Sequence, residues 1–166
     1  MTWGRGSGTL THTAGVVGDR PGGCVWSQVF EPCHTGLVNH EIEPASIAPP
    51  AANYANAILT DGATSWLHTA GVVPTAPDRS VPESVAEQAE LVWTNLLAIL
   101  LEAQMSTSDI VSVTTYVVAD HLSSLPFVMA ARDKALGGRR VASTLVTVPA
   151  LANPAWKVEI ALIAAR

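Results

Sequence analysis

The chain has 166 residues, room for one domain with a proper core and none for a second of similar size. Charged residues make up only 14% against 48% hydrophobic, so a monomer would run short of wet surface, and another subunit is expected to cover part of the exterior. A net charge of −5 with no basic cluster beyond Arg139-Arg140 argues against a nucleic-acid binder, and no apolar run reaches the roughly 20 residues that span a bilayer, which leaves a cytoplasmic protein with small-molecule ligands.

Residues 1–40 are rich in Gly, Thr and Pro and hold no sustained period, so they are expected to be a poorly ordered or accessory extension ahead of a domain over 41–166. Within them His12–Val17 (HTAGVV) is repeated letter for letter as His68–Val73. A duplication scar is the simpler account, an extra strand beside the later copy the sharper one. Cys24 and Cys33, with His34 and His40, match no zinc spacing, and neither a metal nor a cofactor is expected.

Glu43-Pro44 to Pro49-Pro50 predicts an extended entry, since residues before proline avoid the helical region. Tyr54–Leu59 and Ser65–Val73 have the composition of strands, and Asp61-Gly62 between them predicts a hairpin. Ser84-Val85-Ala86-Glu87 is a capping box. Behind it Val85, Ala89, Val92, Leu96, Ile99, Leu100 and Ala103 recur at helical steps, enough for a helix lying on a sheet. Ile110–Ala119 is β-branched and partly alternating, as a half-buried strand requires. Ser123 or Ser124 can cap a second helix with Pro126 in its first turn, an apolar face of Phe127, Val128, Ala131 and Ala135, and a stop at Gly137-Gly138.

Two final strands, Val141–Val148 and Trp156–Ala165, flank a turn with Pro149 and Asn153-Pro154, and are expected as a hairpin-like pair or as neighbours. The order is then ββαβαββ, an α+β fold with a mixed sheet, both helices on one face, and self-association over the other. Glu159 is the conspicuous residue of the last strand. A carboxylate among Val, Ile, Ala and Leu costs free energy unless something satisfies it. His68 has an imidazole suited to proton transfer, yet a lone strand histidine is more simply structural.

The element order, the run GVVPTAPDRSVPESVAEQAELVWTNLLAILLEAQMSTSDIVSVTTYVV and the closing VEIALIA resemble the Rid family (YjgF type, reactive intermediate deaminases) over about residues 44–166. The resemblance implies a chorismate-mutase-like domain that forms homotrimers with small-molecule clefts between subunits. In deaminating members an arginine near the start of the penultimate strand grips the substrate carboxylate, and a glutamate on the last strand handles water. They hydrolyse imines and enamines such as 2-aminoacrylate to a keto acid and ammonia. Glu159 matches that glutamate, while Ser143 stands where the arginine would be. Tyr54 and Gly71 match cleft-lining positions. Thr144 follows Ser143, and Arg139 or Arg140 is a candidate to restore positive charge from the preceding loop, with Arg132 a further guanidinium that could point into the cleft.

Serine cannot form a two-pronged charged grip, so standard 2-aminoacrylate deamination is not expected. The resemblance therefore implies a hydrolase of imines, enamines or related metabolites, with Glu159 catalytic and Ser143, Thr144, Tyr54, Gly71 and Arg140 binding a less acidic substrate. The alternative is a non-catalytic trimeric module that binds a metabolite or a partner. RNA cleavage, attributed to some relatives, fits poorly with the acidic balance.

Overall fold

The computed structural model describes residues 38–166, which run as β1 (Val38–Ile42), β2 (Ala57–Asp61), β3 (Trp66–His68), α1 (Val85–Glu102), β4 (Ile110–Val118), α2 (Leu125–Leu136), β5 (Ala142–Val148) and β6 (Val158–Ala165). The sequence copy at 12–17, Cys24, Cys33, His34 and most of the expected extension lie outside the described residues. β1 begins at Val38, ahead of the expected domain start at 41.

Two helices and a mixed sheet make this an α+β fold, with corrections to the expected pairing. Four strands form one sheet in the order β3-β6-β4-β5, parallel only between β4 and β5. The expected hairpin around Asp61-Gly62 does not form: β2 pairs with β1 in a separate antiparallel ribbon, and β3 pairs with β6. Nor are β5 and β6 neighbours, because β4 lies between them. The reason is the crossover. A parallel pair needs a long connection, α2 supplies it between β4 and β5, and β6 is then left to pair antiparallel on the other edge of β4.

Ser84 caps α1 as its pattern predicts, its hydroxyl accepting from the Glu87 amide at 3.2 Å. The buried stripe is rotated relative to the expected one. Gln88 and Trp93 are inside with Val85, Ala89, Val92, Leu96 and Leu100, whereas Ile99 faces water. Gln88 is buried because its amide is fully used. It donates to the carbonyls of Pro82 (2.7 Å) and Ala155 (2.8 Å) and accepts from the Lys157 amide (2.8 Å), which pins the turn that launches β6.

α2 ends at Gly137 in the left-handed conformation, φ 60°. Its buried stripe is Val128, Ala131, Arg132 and Leu136, spaced i, i+3, i+4 and i+8. Phe127, expected inside, is 59% exposed, because it stands one position and so about 100° round from Val128.

The sheet has two unlike faces. Val113, Val117, Val158, Ile160, Leu162 and Ala164 pack under both helices with Val92, Leu96, Val128 and Leu136. Ser112, Thr114, Tyr116, Glu159, Ala161 and Ile163 alternate with them and share the opposite face, where all are half-buried and no helix of the described residues lies. None of those helices is long and apolar enough to cross a membrane.

Replacing Gln88 with Ala should lower unfolding free energy by about 2–4 kcal/mol, since the Lys157 amide and two carbonyls lose their partner at a buried position. Urea melts will check this, and a change below about 0.5 kcal/mol would show that the turn holds itself.

Candidate functional site

β6 alternates from Val158 to Ala164, so the core placement of Val158 and Ile160 sends Glu159 to the open face, level with Tyr116 of β4. The edge of the sheet beside it is broken. β3 stops at His68 because Thr69 inserts its side chain into the ladder: the Leu162 amide donates to Thr69 Oγ1 at 3.0 Å rather than to a backbone carbonyl. Pairing resumes at Val72, which exchanges two backbone bonds with Ile160 at 2.8 and 3.0 Å. Ala70 and Gly71 lie in the gap, a bulge-like irregularity of the kind that re-aims backbone toward a site.

Gly71 comes so close to Glu159 that a Cβ built on it would stand 1.7 Å from Oε1 and 2.9 Å from Cγ. Only a residue without a Cβ lets Glu159 keep this position. No ion pair of the described residues involves Glu159. Its carboxylate is therefore half-buried against a bare backbone, with no cation of the described residues in ion-pairing distance. Farther along the same face, His68 stacks on Trp66 with centroids 6.4 Å apart. It edges a shallow depression of about 210 Å³ shared with Ser112, Thr114, Ala161 and Ile163.

The other candidates gather at the start of β5. Ser143 is in register with Val113, which puts it on the helix side of the sheet, whereas Thr144 is level with Thr114 on the open face. Ala55 bridges to Ala142, bringing Tyr54 alongside. Tyr54 is half-buried, with its hydroxyl 3.4 Å from the Ala51 amide that donates to it. Arg140 Nε and Nη2 donate to the Tyr54 carbonyl at 3.0 and 2.8 Å, while Nη1 meets Glu41 at 3.1 Å and Nη2 meets Glu43. Two carboxylates thus take up its charge, and it fastens β1 to the segment ahead of β2. Arg139 donates to the Thr107 carbonyl at 3.0 Å.

One residue that the sequence reading did not place among the site residues completes this second cluster. Arg132 of α2, with a side chain only 4% exposed, donates to Ser143 Oγ (3.3 Å), to the Asn53 carbonyl (2.9 Å) and to Asp133 Oδ1 (3.0 and 2.8 Å). Its signal was there to find: an arginine four residues after Val128 and four before Leu136 stands in the buried stripe itself. The candidates therefore form two groups. Glu159 and Gly71 touch on the open side; Ser143, Tyr54 and Arg140 surround the β5 entrance; Thr144 shares only the face of the first group. Among the described residues no group of His, Cys, Asp and Glu is placed to hold a metal.

Residues 45–166 match the family model described as Endoribonuclease L-PSP. Among solved structures, YyfB of Yersinia pestis, a protein of unknown function from the conserved Rid protein family, is 25% identical, with 77% of this chain and 98% of that one covered at a TM-score of 0.71. Yeast Mmf1 is 26% identical, covering 77% and 98% at 0.56. Rv2704 of Mycobacterium tuberculosis, a member of the YjgF/YER057c/UK114 family, shares the fold at 24% identity, covering 70% and 89% at 0.54. No curated protein matches the chain.

In a Gly71→Ala variant the struck atoms belong to a side chain that can swing aside, so stability should change by less than about 0.5 kcal/mol. The Glu159 carboxylate should move off Gly71. A crystal structure of the variant with Glu159 unmoved would show that the close approach does not hold it.

Proposed function

We propose, because this chain belongs to the Rid (YjgF) family, that it is a hydrolase of imines or enamines whose substrates present a neutral group where 2-aminoacrylate deaminases grip a carboxylate. The observation that carries this reading is the Glu159 carboxylate, held over the Gly71 backbone on a face that no helix of the described residues covers and in no ion pair among those residues. In the reaction, water oxygen bonds to the imine carbon and gives a proton to Glu159 as the C=N π bond becomes a lone pair on nitrogen. Glu159 returns that proton to the nitrogen to give the neutral carbinolamine, then takes the hydroxyl proton and passes it to the nitrogen as the C–N bond breaks, C=O forms and ammonia leaves. A carboxylate within hydrogen-bond reach of that water is the only acid–base group the steps need.

Ser143 supplies one neutral donor where a guanidinium would supply a charged fork, and this favours a carbonyl, amide or hydroxyl over a carboxylate. Glu159 and Ser143 lie on opposite faces of one sheet. A substrate touched by both has to sit between two copies, Ser143 from one and Glu159 from the other. We therefore assign the uncovered face to a closed homotrimer with clefts between subunits, in agreement with the low charge content. RNA cleavage, named in the family model's description, finds no support in a site whose arginines are occupied by Glu41, Glu43 and Asp133.

That neutralisation favours a second reading, a trimer that binds a neutral metabolite without turning it over. Imines generated in solution by amine and amino-acid oxidases separate the two. The hydrolase should release ammonia faster than buffer does, and Glu159→Gln should lower kcat/KM about 10²–10⁴-fold. An unchanged rate would remove Glu159 from the chemistry, and binding without turnover would select the second reading. Light scattering should give the mass of three 17.3 kDa chains; a single-chain mass in dilute solution would sink the intersubunit cleft.

A further inference from the structure

Arg132 is a buried charge that the proposed reaction does not use. Taking a guanidinium out of water costs several kcal/mol unless its partners compensate, so what it bonds to is informative. Among the described residues Asp133 is its one charged partner, and it is itself 40% exposed. The remaining bonds go to two groups of the second cluster, the Ser143 hydroxyl and the Asn53 carbonyl, which belong to separate segments on the two sides of the Ala55–Ala142 bridge. Arg132 thus ties the β5 entrance to the peptide that carries Tyr54.

The direction of the Ser143 bond matters more than its length, which at 3.3 Å is at the long end. A guanidinium only donates, so Ser143 Oγ is the acceptor, and one lone pair of the hydroxyl is turned toward the helix layer. The hydroxyl proton has no acceptor in the described hydrogen bonds and is directed elsewhere. A positive charge on the oxygen side also polarises the O–H bond and makes it a better donor. Asp133, itself 40% exposed, offsets only part of the charge of Arg132, and what the ligand meets at this position is a single hydroxyl and not a charged two-pronged fork.

We propose that Arg132 is a positioning residue, which turns Ser143 into a fixed, strengthened hydrogen-bond donor for one neutral acceptor on the ligand and sets Tyr54 beside it. The inference rests on the reading above that Ser143 lines the ligand cleft. It adds the reason a serine serves where relatives carry an arginine: the guanidinium is one layer back and acts through the hydroxyl. The substrate class narrows accordingly to imines whose neighbouring group is an amide, ester, ketone or hydroxyl.

The coupling can be read without any turnover. A thiol introduced by Ser143→Cys, against a parent whose own Cys24 and Cys33 set the background, should alkylate with a pKa about one pH unit or more below the ordinary value near 8.5. Arg132→Gln in that background should return it to the ordinary range, and Arg132→Lys, which keeps the charge and the fold more readily, should hold part of the shift. An identical pH profile in all three overturns the proposal. The ligand arm uses pyruvamide and pyruvate, which differ in one neutral for one charged group, measured by calorimetry on the full chain. Pyruvamide should bind at least as tightly as pyruvate and lose about tenfold on Ser143→Ala, with no further loss when Arg132→Gln is added. Additive losses, or a tenfold preference for pyruvate, also overturn it. A shifted thiol together with ligands indifferent to Ser143→Ala sinks the cleft reading instead.

Discussion

Side-chain parity along the sheet is the constraint from which the arrangement of this protein follows. Successive residues of a strand point to opposite faces, and neighbouring strands share faces in register. With β4 between β5 and β6, Ser143 is level with Val113 and Glu159 with Tyr116, residues three apart on β4 and thus of opposite parity. A shift of one residue in either pairing would bring the two to one face and would also expose half the core. Burial of Val113, Val117, Val158, Ile160 and Leu162 therefore holds the two halves of the candidate site apart within a single chain.

Polar groups inside the helix layer do the joining that apolar packing cannot. Gln88 reaches the turn before β6 and Arg132 the entrance of β5, so each helix fastens the connection to one of the two strands that carry functional candidates. Both are buried in positions a hydrophobic residue could fill by volume. Their amide and guanidinium groups are kept because the segments they hold have carbonyls and amides that need partners. Arg140 has the same duty at the surface, where Glu41, Glu43 and the Tyr54 carbonyl share it.

The broken edge beside β6 shows how a short polar side chain shapes a site. Thr69 takes over one ladder bond, the backbone gains slack, and Gly71 settles against Glu159. A regular strand there would have placed a pleated residue with its own Cβ over the carboxylate. The glycine leaves the backbone side of that carboxylate bare.

Much of this was present in the residues taken alone. The capped helix behind Ser84, the stop at Gly137, the strand at Ile110 and the odd carboxylate at Glu159 follow from local rules of capping, turn chemistry and alternation, and these act over a few residues at a time. Pairing did not follow. Whether Ala57–Asp61 meets Trp66–His68 or the more distant Val38–Ile42, and whether β4 enters between β5 and β6, depends on where helices and loops close, which no short window records. Spacing alone put Arg132 in the stripe of its helix, yet what lets it and Gln88 stay buried was hidden for the same reason, since a polar residue there looks like an interruption until its distant partners, Ala155, Lys157, Asn53 and Ser143, are known. Sequence by itself determined the two helices, the strand at Ile110 and which acid stands out, though not β1, which starts inside the expected extension; tertiary structure decided which face each side chain occupies, because a face is a property of strands in register and not of any one of them.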